Sequence, residues 1–318
     1  MECLASVRDA AEGLDVGIVV LDNASDEDYE PALADWVGPS FEYIRRACGI
    51  SGAANVAAGL ELIRRSPYGI VFHDDDLMSP GLIAHELRAL EENPELVFVA
   101  AEMSWFRDGA VPAMPDGEAM SCRTYGSESE LALALLEGLP LHFGSVMYRT
   151  ADLAGVKPDP ARYGAVCDRP FLLDLARRGP CAVVSGSPSF YRGHVSQDSQ
   201  RSVLPEAHWL ALGESFIRCL GADAPPAEMR RYRRAASVYL LEVLAWTQRD
   251  GRHTARSLIS EAQRRGLMGT MPLSLEAVEN RLRAGRLRWV TYLWHPSVLA
   301  SRLGFRRPAW MRRITGRR

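Results

Sequence analysis

Four consecutive residues, His73-Asp74-Asp75-Asp76, stand at the end of the apolar run Tyr68-Gly69-Ile70-Val71-Phe72. Three ionised carboxylates this close repel one another, and a divalent cation relieves that repulsion. Hard cations such as Mg²⁺ and Mn²⁺ take carboxylate and water oxygens and are commonly shared with a substrate phosphate. A second polar loop, Asp22-Asn23-Ala24-Ser25-Asp26, follows another apolar run, Gly17-Ile18-Val19-Val20-Leu21. Ligands of open α/β sheets sit beyond the carboxyl ends of the strands, so Asp22 and Asp74–Asp76 could line one crevice. A solvated acidic loop leading into a helix has the same spacing, and spacing alone does not separate the two readings.

The elements that would position these groups alternate. Short continuous apolar runs at 17–21, 68–72 and 96–100 are what buried parallel strands require. Between them, residues 51–65 carry Val56, Leu60 and Ile63 at helical spacing behind Ser51 as cap, and Pro67 stops the helix. Ser79-Pro80 predicts the opening of the next helix, with Ser as cap and Pro in the first turn. Asn93-Pro94 closes it. This rhythm implies an α/β domain with helices over a parallel or mixed sheet. Residues 102–126, rich in Gly, Pro, Met and Ser, read as loop. Ser127-Glu128-Ser129-Glu130 is a capping box ahead of Leu131 and Leu135. Phe143–Tyr148 and Cys181–Ser185 read as strands, with a helix over 171–176 closed by Gly179. From about residue 204 the pattern becomes helical (about 204–220, 226–249, 252–265, 274–284 and 289–301), which predicts an α/β domain over 1–200 and a helical region over 201–318.

Composition excludes several classes. Hydrophobic residues make up 47% and charged residues 24% of 318 positions, as in an ordinary globular chain long enough to bury a core without disulfides. The six cysteines form no CxxC pair, which speaks against a zinc site or a disulfide framework and suits a reducing cytoplasm. No apolar run reaches the ~18 residues of a membrane span, and the N-terminus has no secretory pattern. The net charge of −3 conceals an asymmetry: residues 281–318 hold eleven arginines and no acid, so the rest of the chain carries 26 basic against 40 acidic residues. That basic tail contains Trp289, Tyr292, Trp294 and Trp310, a mixture suited to an interfacial helix on anionic lipid at the inner face of the plasma membrane. A helical tail with solvated arginines is the plainer reading. No nucleic-acid-binding motif accompanies it, so nucleic acid is not an expected partner.

The order VVLDNASDED, then RRACGISGAANVAAGLELIRRSPYGIVFHDDDLMSP, resembles the family-2 glycosyltransferases of GT-A fold. Their pattern is an Asp-Asn/Asp-x-Ser loop after a strand, an Arg before a Gly-x-x-x-Asn helix start, and a strand closed by a DxD-type motif. The likeness covers residues 16–95 well and 143–199 more loosely. It implies a transferase that moves a sugar from a nucleotide-diphosphate donor to a hydroxyl of a glycan or lipid-linked acceptor in cell-envelope polysaccharide synthesis. It also implies a divalent metal, Mg²⁺ or Mn²⁺, and inversion at the anomeric carbon. Residue by residue, it implies that Asp22 binds the base, with Asn23 and Ser25 shaping the loop, and that Arg46, Gly52 and Asn55 lie near the nucleotide. Asp74, Asp75 and Asp76 would supply the DxD carboxylates, with Asp76 and Asp74 on the metal. Asp168, in Cys167-Asp168-Arg169-Pro170, would be the general base. His194, in Tyr191-Arg192-Gly193-His194, would be a third metal ligand or a diphosphate contact, with Arg192 offsetting negative charge. Plainer roles exist for each: a turn for Asp22, a surface salt bridge for Arg46, a helix cap for Asp168, a structural imidazole for His194.

Two departures from the pattern stand out. His73 occupies a position that is acidic in the commoner four-Asp version, and the strand that opens family members has no counterpart ahead of Cys3–Val7. The expectation is therefore a GT-A mixed sheet lacking its first strand, through a mis-called start or a truncation. The main alternative is a non-catalytic or impaired truncated sugar-binding homologue. A DxD-type phosphatase would continue with Thr or Val after the second Asp, where Leu77-Met78 stand here, and a nucleotide-sugar pyrophosphorylase would need a Gly-rich basic loop near the start.

Overall fold

The computed structural model describes residues 1–36, 40–107, 121–194, 204–221, 224–247 and 255–269. The expected helices at 274–284 and 289–301, the basic tail, and residues 195–197 of the Tyr191–Gln197 segment lie outside these. The chain divides into two compact units, 1–128 with 140–201, and 129–139 with 202–318.

The first unit is a mixed α/β domain. Helix α1 (Glu2–Ala10) is followed by β1 (Ile18–Asp22), the short α2 (Glu30–Leu33), β2 (Phe41–Arg45), α3 (Gly52–Ile63), β3 (Tyr68–Ile70), β4 (Leu77–Met78), α4 (Leu82–Glu92), β5 (Phe98–Arg107) and β6 (Ser121–Tyr125). After α5 (Glu128–Leu136), which passes into the second unit, come β7 (Val146–Arg149), α6 (Pro160–Tyr163), α7 (Asp168–Ala176) and the 13-residue β8 (Cys181–Gly193). Strands β1 and β2 pair in parallel as a separate two-stranded sheet. The larger sheet has the order β3-β7-β5-β8-β4, with β6 on β8. Here β7 runs antiparallel to both β3 and β5, while β5 and β8 are parallel. Among the described residues, no strand pairs with the outer edge of β1 or of β3.

The core is centred on β5 and β8. Phe98–Ala101 and Cys181, Ala182 and Val184 are fully buried, and of these Val99, Ala101, Ala182 and Val184 pack with Leu82, Leu90 and Leu96. Ser51 caps α3 as expected, its Oγ accepting from the Ala54 N–H at 3.3 Å.

Several boundaries differ from the sequence expectation. Residues 102–107 are strand and not loop, because the second half of β5 pairs with Ser189–Gly193 after an irregularity between Ala101 and Met103. Residues 121–125 likewise form β6, paired with Cys181–Ser185. Helix α4 begins at Leu82 with Gly81 at its cap. Ser79 and its neighbours are drawn off by strand pairing: Leu77 and Met78 pair with Phe190 and Ser189, and the Ser79 N–H reaches Pro188 O at 3.3 Å. Phe143–Ser145 is a 3₁₀ turn ahead of β7.

The second unit is helical: α8 (Glu206–Leu220), α9 (Pro226–Thr247) and α10 (Ala255–Arg264). Trp209 is fully buried and donates its indole N–H to Leu240 O at 2.9 Å, and Phe216 meets Tyr239 edge-on at 5.1 Å. A Cβ on Gly213 would stand 3.2 Å from the side chains of both Leu240 and Leu267, a tight fit that the glycine avoids. Among the described residues, no helix is long and apolar enough to cross a membrane.

Candidate active site

The acidic run leaves β3 as a turn, and its three aspartates meet three different environments. Asp74 is exposed, Asp75 half-buried and Asp76 fully buried. Asp76 Oδ1 accepts the backbone N–H of Arg192 at 2.9 Å. Its Oδ2 has no hydrogen-bond partner and faces two imidazoles, His73 Nδ1 at 3.7 Å and His142 Nδ1 at 3.9 Å. Burial pushes the Asp76 carboxyl up to about 7; the Arg192 N–H opposes this, and the charges of Asp75 and Asp74 add to it. His142 is held well below the usual imidazole range by burial first, then by His73 and Arg169. The neutral ring accepts the Gly144 N–H on Nδ1 at 3.2 Å, which assigns its proton to Nε2, 3.5 Å from Ser189 Oγ.

His73, Asp76 and His142 are the one group of three such side chains among the described residues whose donor atoms lie within 4.8 Å of one another. A buried carboxylate oxygen left without a partner costs free energy unless something binds it, and a cation between two imidazoles supplies that partner. The donor set thus fits a divalent metal, with one condition. A cation taken by His142 through Nδ1 displaces the bond from Gly144. The expected set of Asp76, Asp74 and His194 is arranged differently. His194 Nε2 lies 2.8 Å from Asp75 Oδ2, while Asp74 is exposed.

Arg192 ties the site together. Its Nε donates to Asp75 O at 2.7 Å, its Nη2 meets Glu2 at 2.8 Å, and its guanidinium lies 4.7 Å over the Phe106 ring. Helix α1 also contacts the turn through Cys3, whose Sγ reaches His73 O at 3.3 Å. Asp168 begins α7 and lies 3.8 Å from Arg169 Nε. Arg169 is close enough to disfavour a charge on His142, and its Nη1 is buried without a hydrogen bond.

At β1 the arrangement is polar throughout. Asp22 accepts from the Tyr43 hydroxyl at 2.6 Å, the Ser25 hydroxyl at 2.7 Å and the Ser25 N–H at 2.9 Å, with Arg45 Nε at 3.4 Å. Burial works to raise its pKa, but these bonds and the guanidinium outweigh it and the net shift is downward. Asn23 clamps the segment before α3 through Ile50, donating to its O at 2.7 Å and accepting from its N–H at 3.0 Å. Arg46 Nε donates to Asn55 Oδ1 at 2.8 Å, and Asn55 Nδ2 reaches back to Leu21 O at 3.4 Å. Asp22, Asn23 and the Arg46–Asn55 pair thus make three neighbouring sets of hydrogen bonds around the end of β1, the first and last joined by the Arg46 N–H on Asp22 O at 2.9 Å, with Gly52 exposed at the first turn of α3. A close backbone approach in this loop belongs to Gly49, where a Cβ would stand 3.3 Å from Asn23 O. The sequence reading missed Tyr43, Arg45 and Gly49, and it missed His142, a lone histidine without a local signal.

The carboxylate between two imidazoles after β3 and the hydrogen-bonded loop after β1 are the two places in this domain whose side chains could bind a ligand. S. aureus TarS 1–349, solved in complex with UDP, superposes at a TM-score of 0.57 with 13% identity, covering 95% of this chain and 87% of that one. A second structure of S. aureus TarS 1–349 gives 0.54 and 14%. A mannosyltransferase from Pyrobaculum calidifontis, solved with GDP-Man and Mn²⁺, reaches 0.46 at 14% identity over 96% and 82% of the chains, a score at which no shared fold is asserted. No curated protein matches the chain in sequence. The family described as glycosyl transferase family 2 matches residues 1–145. Those residues are similar to that family, and the likeness to TarS shows that the mixed sheet with its helices has the GT-A fold.

Proposed function

We propose that the protein transfers a sugar from a nucleoside-diphosphate donor to a hydroxyl of a glycan or lipid-linked acceptor of the cell envelope, with inversion and with a divalent metal at the acidic turn. The observation that carries this reading is the buried, unpartnered Oδ2 of Asp76 between His73 and His142. Asp22, Asn23, Arg46, Gly52 and Asn55 take the nucleoside end, where a network already holds Asp22 ionised. Asp76 holds the metal with His73 and His142. Asp74, Asp75 and His194 line the diphosphate side, and His194 is the alternative third ligand once the Asp75 contact is released. A metal bound there supplies positive charge that offsets the charge developing on the departing nucleoside diphosphate. Imidazole donors favour Mn²⁺ over Mg²⁺.

The remaining roles fall to side chains. Arg192 holds the turn in shape, and Arg169 offers its buried Nη1 to an anion. Asp168, at the start of α7, accepts the proton of the attacking hydroxyl. Direct attack on the side opposite the leaving group inverts the anomeric carbon. The basic, aromatic segment 281–318 supports contact with anionic lipid by its composition; vesicle co-sedimentation that survives its deletion would remove that assignment.

The test is thermal stabilisation by UDP and GDP with and without Mn²⁺. Binding raises the melting temperature as RT ln(1 + [L]/Kd). Asp76→Asn should abolish the Mn²⁺-dependent part and leave the ligand-free melting temperature near that of the parent. Mn²⁺-dependent stabilisation of undiminished size in that variant defeats the reading.

A further inference from the structure

The second half of β5 carries an aromatic surface that the transfer chemistry does not use. After the irregularity at Ala101–Met103 the strand runs beside β8, pairing Trp105 with Tyr191, Phe106 with Arg192 and Arg107 with Gly193. Trp105 is 47% exposed, while Phe106 on the opposite face is buried. A single exposed apolar residue is ordinary, but this one is not isolated. Its ring centroid lies 4.4 Å from that of Tyr191, and Tyr191 meets His142 edge-on at 5.1 Å. His142 is the imidazole that faces Asp76 Oδ2. An unbroken run of rings thus leads from the candidate metal pocket to an indole at the surface.

Polar groups flank that run. Arg192, His194 and Asp75 follow or face the same stretch of β8, and the six-membered ring of the Trp105 indole borders Gly193 directly before His194. An apolar platform beside charged and hydrogen-bonding groups has the character of a pyranose site, since a sugar offers a C–H face to an aromatic ring and hydroxyls around its rim. The Asp22–Asn55 network assigned to the nucleoside stands on the other sheet, at β1 and α3. With the diphosphate at the acidic turn, the β5–β8 end is left for the acceptor.

We infer that the exposed indole of Trp105 is a stacking platform for a pyranose ring of the acceptor, set beside the transfer site next to Tyr191. This rests on the glycosyltransfer reading above and adds to it a residue that positions substrate. The test uses the full chain labelled with 5-fluorotryptophan, which has seven tryptophans. The Trp105 resonance is identified by its loss in Trp105→Phe. Methyl glycosides of glucose, galactose, mannose and N-acetylglucosamine are titrated in the presence of UDP or GDP and Mn²⁺.

The expected result is a saturable shift of the Trp105 resonance with at least one glycoside. In Trp105→Ala, binding of that glycoside read by saturation transfer should weaken about tenfold, the size of one good aromatic contact. Trp105→Phe should retain part of it, and stabilisation by nucleotide and Mn²⁺ should be unchanged in both. If nucleotide with Mn²⁺ stabilises the protein but no glycoside moves Trp105, the platform is overturned and the transferase reading stands. A response to intact nucleotide sugar alone assigns the indole to the donor and also overturns it. If neither nucleotide stabilises the protein, the transferase reading itself has failed.

Discussion

The two sheets of the first unit are made of similarly apolar strands but are held in different ways. In the larger sheet, Phe98–Ala101 of β5 and the first residues of β8 are buried, Val99 and Ala101 against α4 and Phe98 beside Tyr148. In the smaller one, Val19 of β1 is 40% exposed, and the largely apolar helix α3 beside it buries only Leu60. What keeps the smaller sheet's loop in shape is a hydrogen-bond network: Tyr43 and Ser25 on Asp22, Asn23 on Ile50, Arg46 on Asn55. Burial gives a fixed frame to the carboxylate that must be desolvated, Asp76. Hydrogen bonding keeps Asp22 ionised although it too is buried. The difference teaches that the two ends of the proposed donor site draw their precision from different physics.

The contrast can be broken most directly in the cores. Phe98→Ala should cost about 3–5 kcal/mol of unfolding free energy, the usual range for a fully buried aromatic, measured by denaturant titration. Val19→Ala, at the other extreme, should stay within ~0.5 kcal/mol. Equal costs would remove the distinction between the sheets. Next in size, Asp76→Ala should lower sugar transfer about 100-fold, near 2.7 kcal/mol of transition-state stabilisation, with little change in circular dichroism. A variant that keeps activity would separate the buried carboxylate from the chemistry.

A third effect tests how far burial dominates the larger sheet. Glu86 on α4 is fully buried, and its carboxylate oxygens lack a hydrogen bond of good geometry. Burial raises its pKa well above 4.5, with only the Ala101 N–H acting the other way. The folded state therefore holds its proton where the unfolded chain has lost it, and stability falls as pH rises from about 4.5 through the raised value. Glu86→Gln should match the parent near pH 4 and melt higher at pH 8. A parallel pH profile for the two proteins would show that the carboxylate is not desolvated.

The smaller effect concerns the network. Tyr43→Phe removes one bond to Asp22 and should cost about 0.5–1.5 kcal/mol at neutral pH. Because the Asp22 pKa is lowered, its contribution is present above the ordinary value of 3.8 and lost as pH falls through the folded one. The variant should therefore lose less stability on acidification than the parent.

Much of this was legible in the chain. The strand end at Asp22, the strand at 68–70 ahead of the acidic run, the cap at Ser51 and the start of α7 at Asp168 are local signals, since apolar runs and capping residues act through their immediate neighbours. The extension of β5 to Arg107 was not legible, because residues 103–107 are strand only through pairing with Ser189–Gly193. The start of α4 shifted for the same reason, Leu77-Met78 being claimed by β8. His142 stands 66 positions from Asp76 in a segment with no motif of its own, so nothing local marks it.

The sequence by itself determined that carboxylates gather at the ends of apolar strands and in which order, because hydrophobic periodicity and turn chemistry are properties of short segments. Only the tertiary structure decided that Asp76, of three adjacent aspartates, is the buried one with a free oxygen between two histidines. Asp74 and Asp75 share its turn and its charge. What separates them is desolvation by the surrounding sheet and a single N–H from Arg192, 116 residues away, and burial of that kind is fixed by packing between distant parts of the chain.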